Sequence, residues 1–293
     1  ALAAVTTGTH NTAVGSDALQ LCTGGNNTAV GSVALNANTT GTNNTALGRL
    51  ALDVNTTASN NTAVGNNSLG ANSTGANNTA CGNNSLKSNT TASSNTAFGQ
   101  NALAENTTGT ENTAVGNGCL DANTTGNNNT GCGNDALTVS TGSNNTAVGR
   151  RALRLNSSAS NNTAVGSGAL RDNTTGTSNT SAGTSALQSN TTADNNTAFG
   201  YYALLANTTG DRNVAVGSEA LDANTTGTKM VAMGHQALTA ATTATDCTCI
   251  GAFSGMSITT GGSNTGLGSA SLESATTAAN NTAIGGGALQ QNS

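Results

Sequence analysis

The residues of this chain that could do chemistry are few and scattered. Cys247 and Cys249 form a C-x-C, but a structural zinc site needs four ligands, no second pair follows, and the nearest histidine, His235, is off ligand spacing. Cys81 and Cys132 stand where the chain otherwise carries Val, and Cys119 where it carries Ala. They read as small buried hydrophobes. His10 and His235 are the two histidines, about 13 repeat lengths apart along one coil axis, and cannot meet. Carboxylates such as Asp17, Asp53, Glu105, Asp121 and Glu219 fall at variable positions, whereas a glycosidase needs two converging on one bond. The glycine-rich stretches lack the spacing of a phosphate loop. The expectation is therefore no catalytic residue, no metal ligand set and no cofactor: not an enzyme.

Two further patterns could be chemical. Asn-x-Ser/Thr triplets begin at Asn26, Asn38, Asn43, Asn55, Asn60, Asn77, Asn123, Asn173, Asn207 and Asn224, the acceptor pattern of a glycoprotein. Glycans stacked at one strand spacing, about 4.8 Å, would crowd, so an amide ladder is the competing reading. Threonine rows such as Thr40-Gly41-Thr42, Thr108-Gly109-Thr110 and Thr175-Gly176-Thr177 offer a regular hydroxyl array, the alternative function being an ice-binding β-solenoid. Ser59, Ala76, Asn127, Asp194 and Asp211 interrupt that array.

What must position these residues is a repeat. Asn-Thr-Ala-Val-Gly begins at Asn11 and returns at Asn27, Asn44, Asn61 and onward to Asn213, at steps of 17 residues with two of 16; variant copies start at Met230, Cys247, Asn264 and Asn281. The unit reads N-T-A-V-G-x-x-A-L-x-x-N-T-T-G-x-N, numbered 1 to 17 below. Apolar positions five apart form no helical face, while Thr-Ala-Val alternates as a strand does and is bounded by glycine. The fold class is all-β, a parallel β-solenoid of about 17 stacked 17-residue coils, one uncapped domain over 1–293. At roughly 4.8 Å per coil it would make a rod of about 80 Å.

Position 4 carries Val14, Val30, Leu47, Val64, Val115, Val148, Val165 and Val216, and position 9 carries Leu35, Leu52, Leu69, Leu103 and Leu170. Both columns are expected to point inward as the core. Gly15, Gly31, Gly48, Gly65, Gly82, Gly99 and Gly116 at position 5 imply corners needing φ > 0 or close approach. Asn at positions 1, 12 and 17 would stack on Asn of neighbouring coils. Small residues at 3 and 8 would leave flat strips for another subunit.

Composition agrees. There are 38 Gly, no Pro, no Trp and 7% charged residues, so large side chains cannot fill a thick core. A formal charge of −5 with eight Lys plus Arg gives no basic stripe for nucleic acid, and no apolar run is long enough to span a membrane.

Units such as Asn27-Thr28-Ala29-Val30-Gly31 followed by Ala34-Leu35 and Asn38-Thr39-Thr40-Gly41 resemble the repeats of bacterial and phage tail-fibre-domain proteins over the whole chain. Asn26-Asn27-Thr28-Ala29-Val30-Gly31 is more weakly similar to the head repeats of trimeric autotransporter adhesins. The resemblance implies a cell-surface or virion fibre, often trimeric, with cell-surface glycans as a ligand class. The period is longer than in adhesin heads, and no stalk or anchor is seen, which fits a shaft better than a tip. Localisation is expected to be extracellular, cell-surface or virion surface.

Larger apolar residues gather between Lys229 and Ile258, and with Tyr201, Tyr202, Phe253 and Met256 they mark a candidate contact patch. The chain opens at Ala1 without a Met or an apolar leader and closes at Gln291-Asn292-Ser293 in mid-coil. Open strand edges invite association, so the expectation is an excerpt of a longer fibre that self-associates end to end, by bundling, or both.

Overall fold

The computed structural model describes residues 7–291 and falls into two compact units, Ala1–Asn144 and Asn145–Ser293. Each is a parallel β-solenoid. The first holds eight three-residue strands, from β1 (Thr12–Val14) to β8 (Thr130–Cys132), and the second nine, from β9 (Thr146–Val148) to β17 (Thr282–Ile284). Among the described residues no helix is long and apolar enough to cross a membrane. The ends expected to be open, Ala1-Leu2 and Asn292-Ser293, lie outside the described residues.

Within each unit every strand pairs with the same phase of the next coil, as in Thr28 with Thr45, Ala29 with Ala46 and Val30 with Leu47. In-phase pairing places like side chains above one another. Backbone bonds continue the stacking around the turns: Leu35 N–H donates to Ala51 at 2.9 Å, Thr39 N–H to Thr56 at 2.8 Å, and Gly48 N–H to Val30 at 2.8 Å. Pairing of this kind fixes the coil without a bulky core, because buried backbone groups must find partners somewhere.

Four positions per coil, 5, 7, 9 and 17, have positive φ, position 7 being Leu50, Asn67 and Asn84 in successive coils. Position-5 glycines have φ from 121° to 144°. A Cβ on Gly48 would meet the carbonyl of Gly65 in the next coil, so this corner requires glycine twice over. Position 17 is left-handed as well, at Asn26, Asn43 and Asn60, the residue type that tolerates it. Position 9 is the unexpected one: its leucines all lie at φ between 49° and 55°. A left-handed non-glycine residue costs roughly 1–2 kcal/mol. Full burial of Leu, worth about 1.5–3 kcal/mol, offsets it.

The interior is thin. Ala at positions 3 and 8, Leu at 9, small residues at 15 and Asn at 1 and 12 are buried, as Ala46, Ala51, Leu52, Ala58, Asn44 and Asn55 show. The two 16-residue coils drop position 14, which elsewhere is an exposed Thr such as Thr40 or Thr57, so the deletion falls outside this interior.

Candidate interaction face

The strand sets the geometry of the outer face. Residues alternate sides along a strand, and Asn at position 1 must face inward to make its bonds. Asn44 Nδ2 donates to the Ala58 carbonyl at 2.8 Å, and Asn44 Oδ1 accepts the Asn61 N–H at 3.0 Å. Ala at position 3 shares that parity and is buried. Positions 2 and 4 therefore face out together.

This corrects the core assignment for position 4. Val14, Leu47, Val115, Val148 and Val165 are 58%, 47%, 40%, 38% and 42% exposed, and Val30, Val64 and Val216 are half-buried. Apolarity was the wrong guide, because the buried amide fixes the parity of the strand. The alanine strips at 3 and 8, expected to receive another subunit, are likewise inside: Ala29, Ala34, Ala46 and Ala51 are fully buried. Leu35, Leu52, Leu69, Leu103 and Leu170 are also fully buried, and the glycines from Gly15 to Gly116 at position 5 sit at positive-φ corners.

Position 12 completes the buried polar set. Asn55 Nδ2 donates to Asn38 Oδ1 at 2.9 Å and to the Ala58 carbonyl at 3.1 Å, and Asn72 Nδ2 donates to Asn55 Oδ1 at 3.0 Å. The position-15 carbonyl thus accepts two amides, one from each asparagine column. Sequons at Asn38, Asn55, Asn123, Asn173, Asn207 and Asn224 are consumed in this ladder and buried. Those at Asn26, Asn43, Asn60 and Asn77 are exposed at position 17.

Two threonine columns differ in what their hydroxyls do. At position 16 of the Thr-Gly-Thr rows the hydroxyl is spent on the next coil: Thr42 Oγ1 donates to Ser59 Oγ at 3.3 Å, and Thr177 Oγ1 to Asp194 Oδ1 at 3.0 Å. At position 2 the hydroxyls of Thr28, Thr45 and Thr62 make no hydrogen bond among the described residues, and these side chains are half-buried on the outer face. Each unit presents a ribbon of this kind: a threonine column, interrupted in the second unit by Val214 and Val231, beside a mainly apolar column, with no charged residue in either. In the first unit alone, eight strands at ~4.8 Å spread this ribbon over about 34 Å.

The remaining candidates stay apart. Tyr201 and Tyr202 stack on each other, ring centroids 3.8 Å apart, and their hydrogen bond raises the Tyr201 phenol above its ordinary value. Phe253 meets His235 edge-on at 5.3 Å, three coils from the tyrosines, or about 14 Å at ~4.8 Å each. Met256 occupies position 10 and is half-buried.

All six cysteines are free. Burial pushes the Cys119 thiol up to about 12 and Cys249 to about 11, the reverse of an activated nucleophile. Among carboxylates, partial burial raises Asp121, with Glu105 adding to the effect. The side-chain hydrogen bond from Lys87, in an ion pair at 2.8 Å, lowers Glu105. Among the described residues no three His, Cys, Asp or Glu side chains gather as a metal-holding group. No family model, curated protein or solved structure matches the chain.

Proposed function

We propose that this chain is a non-enzymatic structural protein forming the shaft of an extracellular or virion fibre, and that copies associate through the threonine–apolar ribbon. The observation that carries this reading is the ribbon itself. An uncharged outer face with Val115, Val148, Val165, Phe199 and Ile250 at 38–44% exposure repeats the same chemistry in coil after coil, and contiguous exposed apolar patches on soluble proteins mark contact sites. Sheets not meant to associate are commonly interrupted by charge. Here the charges sit at the turns instead.

Sedimentation velocity over a concentration series tests the proposal, comparing the native chain with a Val115→Lys, Val148→Lys, Val165→Lys variant. Association of the native chain and its loss in the variant, with unchanged circular dichroism, is the expected result. A native chain that stays monomeric at every concentration would contradict it.

One observation favours a second reading, ice binding. The position-2 hydroxyls are regularly spaced and make no hydrogen bond among the described residues, as an ordered water layer would require. That function predicts inhibition of ice recrystallisation that Thr45→Val and Thr62→Val weaken; no inhibition by the native chain removes it.

A further inference from the structure

The second unit carries a concentration of positive charge that the fibre role does not use. Of eight Lys and Arg in the chain, four fall between positions 150 and 171: Arg150, Arg151, Arg154 and Arg171. The repeat brings three of them to one place. Arg150 and Arg151 occupy positions 6 and 7 of one coil and Arg171 position 10 of the next, and with Gly168, Ser185 and Gln188 they line a surface cavity of ≈ 170 Å³. No carboxylate lines it.

The opening has an identifiable origin. Position 7 is Arg151, Gly168 and Ser185 in three successive coils, so the missing side chain of Gly168 leaves a gap in the column. The glycine is not sterically required. A Cβ there would stand 3.4 Å from Ser185 Oγ, an ordinary contact, and Asn67, Asn84 and Asn101 hold the same left-handed position in other coils.

Arg171 is held in place from behind. Its Nε and Nη2 donate to the two Asp172 carboxylate oxygens at 2.8 and 2.7 Å. With the Gln188 amide turned to suit its neighbours, Gln188 accepts from Arg171 Nη2 at 3.0 Å and donates to Ser185 Oγ at 2.7 Å. Arg150 is in no ion pair among the described residues. A preformed polar cavity ringed by guanidinium groups and a serine hydroxyl is suited to a tetrahedral oxyanion, which takes several hydrogen bonds at once. Its volume admits such an anion with a few waters, each about 30 Å³ in the liquid. The other four cations do not prolong the cluster: Lys87 pairs with Glu105 and Lys229 with Asp246, while Arg49 and Arg212 lie far off in sequence. A polyanion backbone would need a stripe.

We propose that this cavity binds a sulfate or phosphate group, free or carried on a sugar. Calorimetric titration of the full chain at low ionic strength, with inorganic sulfate, inorganic phosphate and a sulfated heparin disaccharide, tests it. Saturable binding of at least one probe is expected, weakened about tenfold or more in Arg150→Gln, the scale for losing one charge-assisted hydrogen bond. Gly168→Asn, which fills the gap with a residue native to this position elsewhere, should weaken it similarly without changing the circular dichroism. Tighter binding of the disaccharide than of either ion would assign the group to a sugar, and the reverse to a free ion. No saturable binding of any probe, or equal binding by both variants and the native chain, would overturn the proposal.

Discussion

Within the second unit, the coils from Asn145 to Gly227 and those from Met230 to Ala275 solve one problem in two ways. In the first stretch, positions 1 and 12 are buried asparagines whose amides run from coil to coil: Asn190 Nδ2 donates to Asn173 Oδ1 at 2.8 Å, Asn207 Nδ2 to Asn190 Oδ1 at 3.1 Å, and Asn224 Nδ2 to Asn207 Oδ1 at 2.7 Å. In the second, position 1 becomes Met230 and Cys247 and position 12 becomes Ala241, Ile258 and Ala275. The Leu of position 9 becomes Gly255, and a Cβ there would crowd Cys249 Sγ, Leu238 and Ile258, which fill the vacated space.

The replacements come as a block because a buried amide row is costly to interrupt: each break leaves an unpaired group. At the upper junction both ends are managed. Met230 N–H still donates to Asn213 Oδ1 at 3.0 Å, and Asn224 Oδ1, with no amide in Ala241 to serve, accepts the Gly227 N–H at 3.0 Å. Cys247 imitates an amide poorly, its thiol lying 3.3 Å from the Gly261 carbonyl. In the first unit the junction at Ser140 is less complete: Asn123 Oδ1 has no hydrogen-bond partner among the described residues. Amide rows and apolar filling are thus interchangeable within one backbone, over several coils from Met230 onward and over a single coil at Ser140, where the cost is an unpartnered Asn123 Oδ1.

The backbone requirement should be common to both stretches and give the largest effect. Gly183→Ala and Gly251→Ala each combine a forbidden φ with a Cβ driven into the next coil's backbone, a loss on the order of 4 kcal/mol each. Urea melts in which only one of them is destabilising would show that the two stretches differ in backbone as well as in filling.

Next comes the leucine column. Leu187→Ala should cost about 3 kcal/mol through lost burial and a cavity. Because Leu187 lies at φ 54°, Leu187→Gly should be more stable than Leu187→Ala by about 1 kcal/mol, the left-handed strain relieved. The usual order, with Ala the better tolerated, would contradict the strain assigned to this position. Gly255 is the chain's own instance of the exchange.

A smaller effect is expected for a single break in the amide row. Asn190→Ala leaves Asn173 Oδ1 and the Ala193 carbonyl each short of a donor and should cost about 2 kcal/mol. A neutral result would show that the ladder contributes no net stability.

The period, the strands, the position-5 corners and the leucine column were legible in the sequence because each follows from composition at a fixed phase. The direction of position 4 was not. Val, Leu and Phe there outweigh Ala at position 3 on any hydrophobic scale, yet Asn at position 1 decides the parity through bonds to carbonyls 14 residues on. The stacking of Asn between coils was legible, but stacking alone does not say which side of the strand the position-1 amide takes, and its constancy beside freely varying positions 6 and 7 was a usable signal. The left-handed leucines could not be read at all, since leucine gives no local hint of positive φ. The arginine cavity was visible only as the Arg150-Arg151 pair; Arg171 joins it through coil stacking.

The mildest expected effect concerns alkaline stability. The Cys249 thiol is raised by burial to about 11, so the folded state keeps its proton where an unfolded thiol near 8.5 has lost it. Its contribution is fully present below the unfolded value and is lost as pH rises toward 11. A fall of about 1 kcal/mol across the first pH unit of that window is expected in urea melts. Cys249→Ala should flatten the slope, whereas a slope unchanged by that variant would assign the alkaline loss elsewhere.

Hydroxyl-radical footprinting of the dilute and the assembled protein tests the central claim, that the apolar column is an outer face used for association. Val148, Val165, Phe199 and Met233 should be modified in the dilute chain and protected on assembly, with Leu153, Leu170 and Leu204 protected throughout. Protection of the position-4 residues already in the dilute chain, or their continued modification in the assembled state, would contradict it.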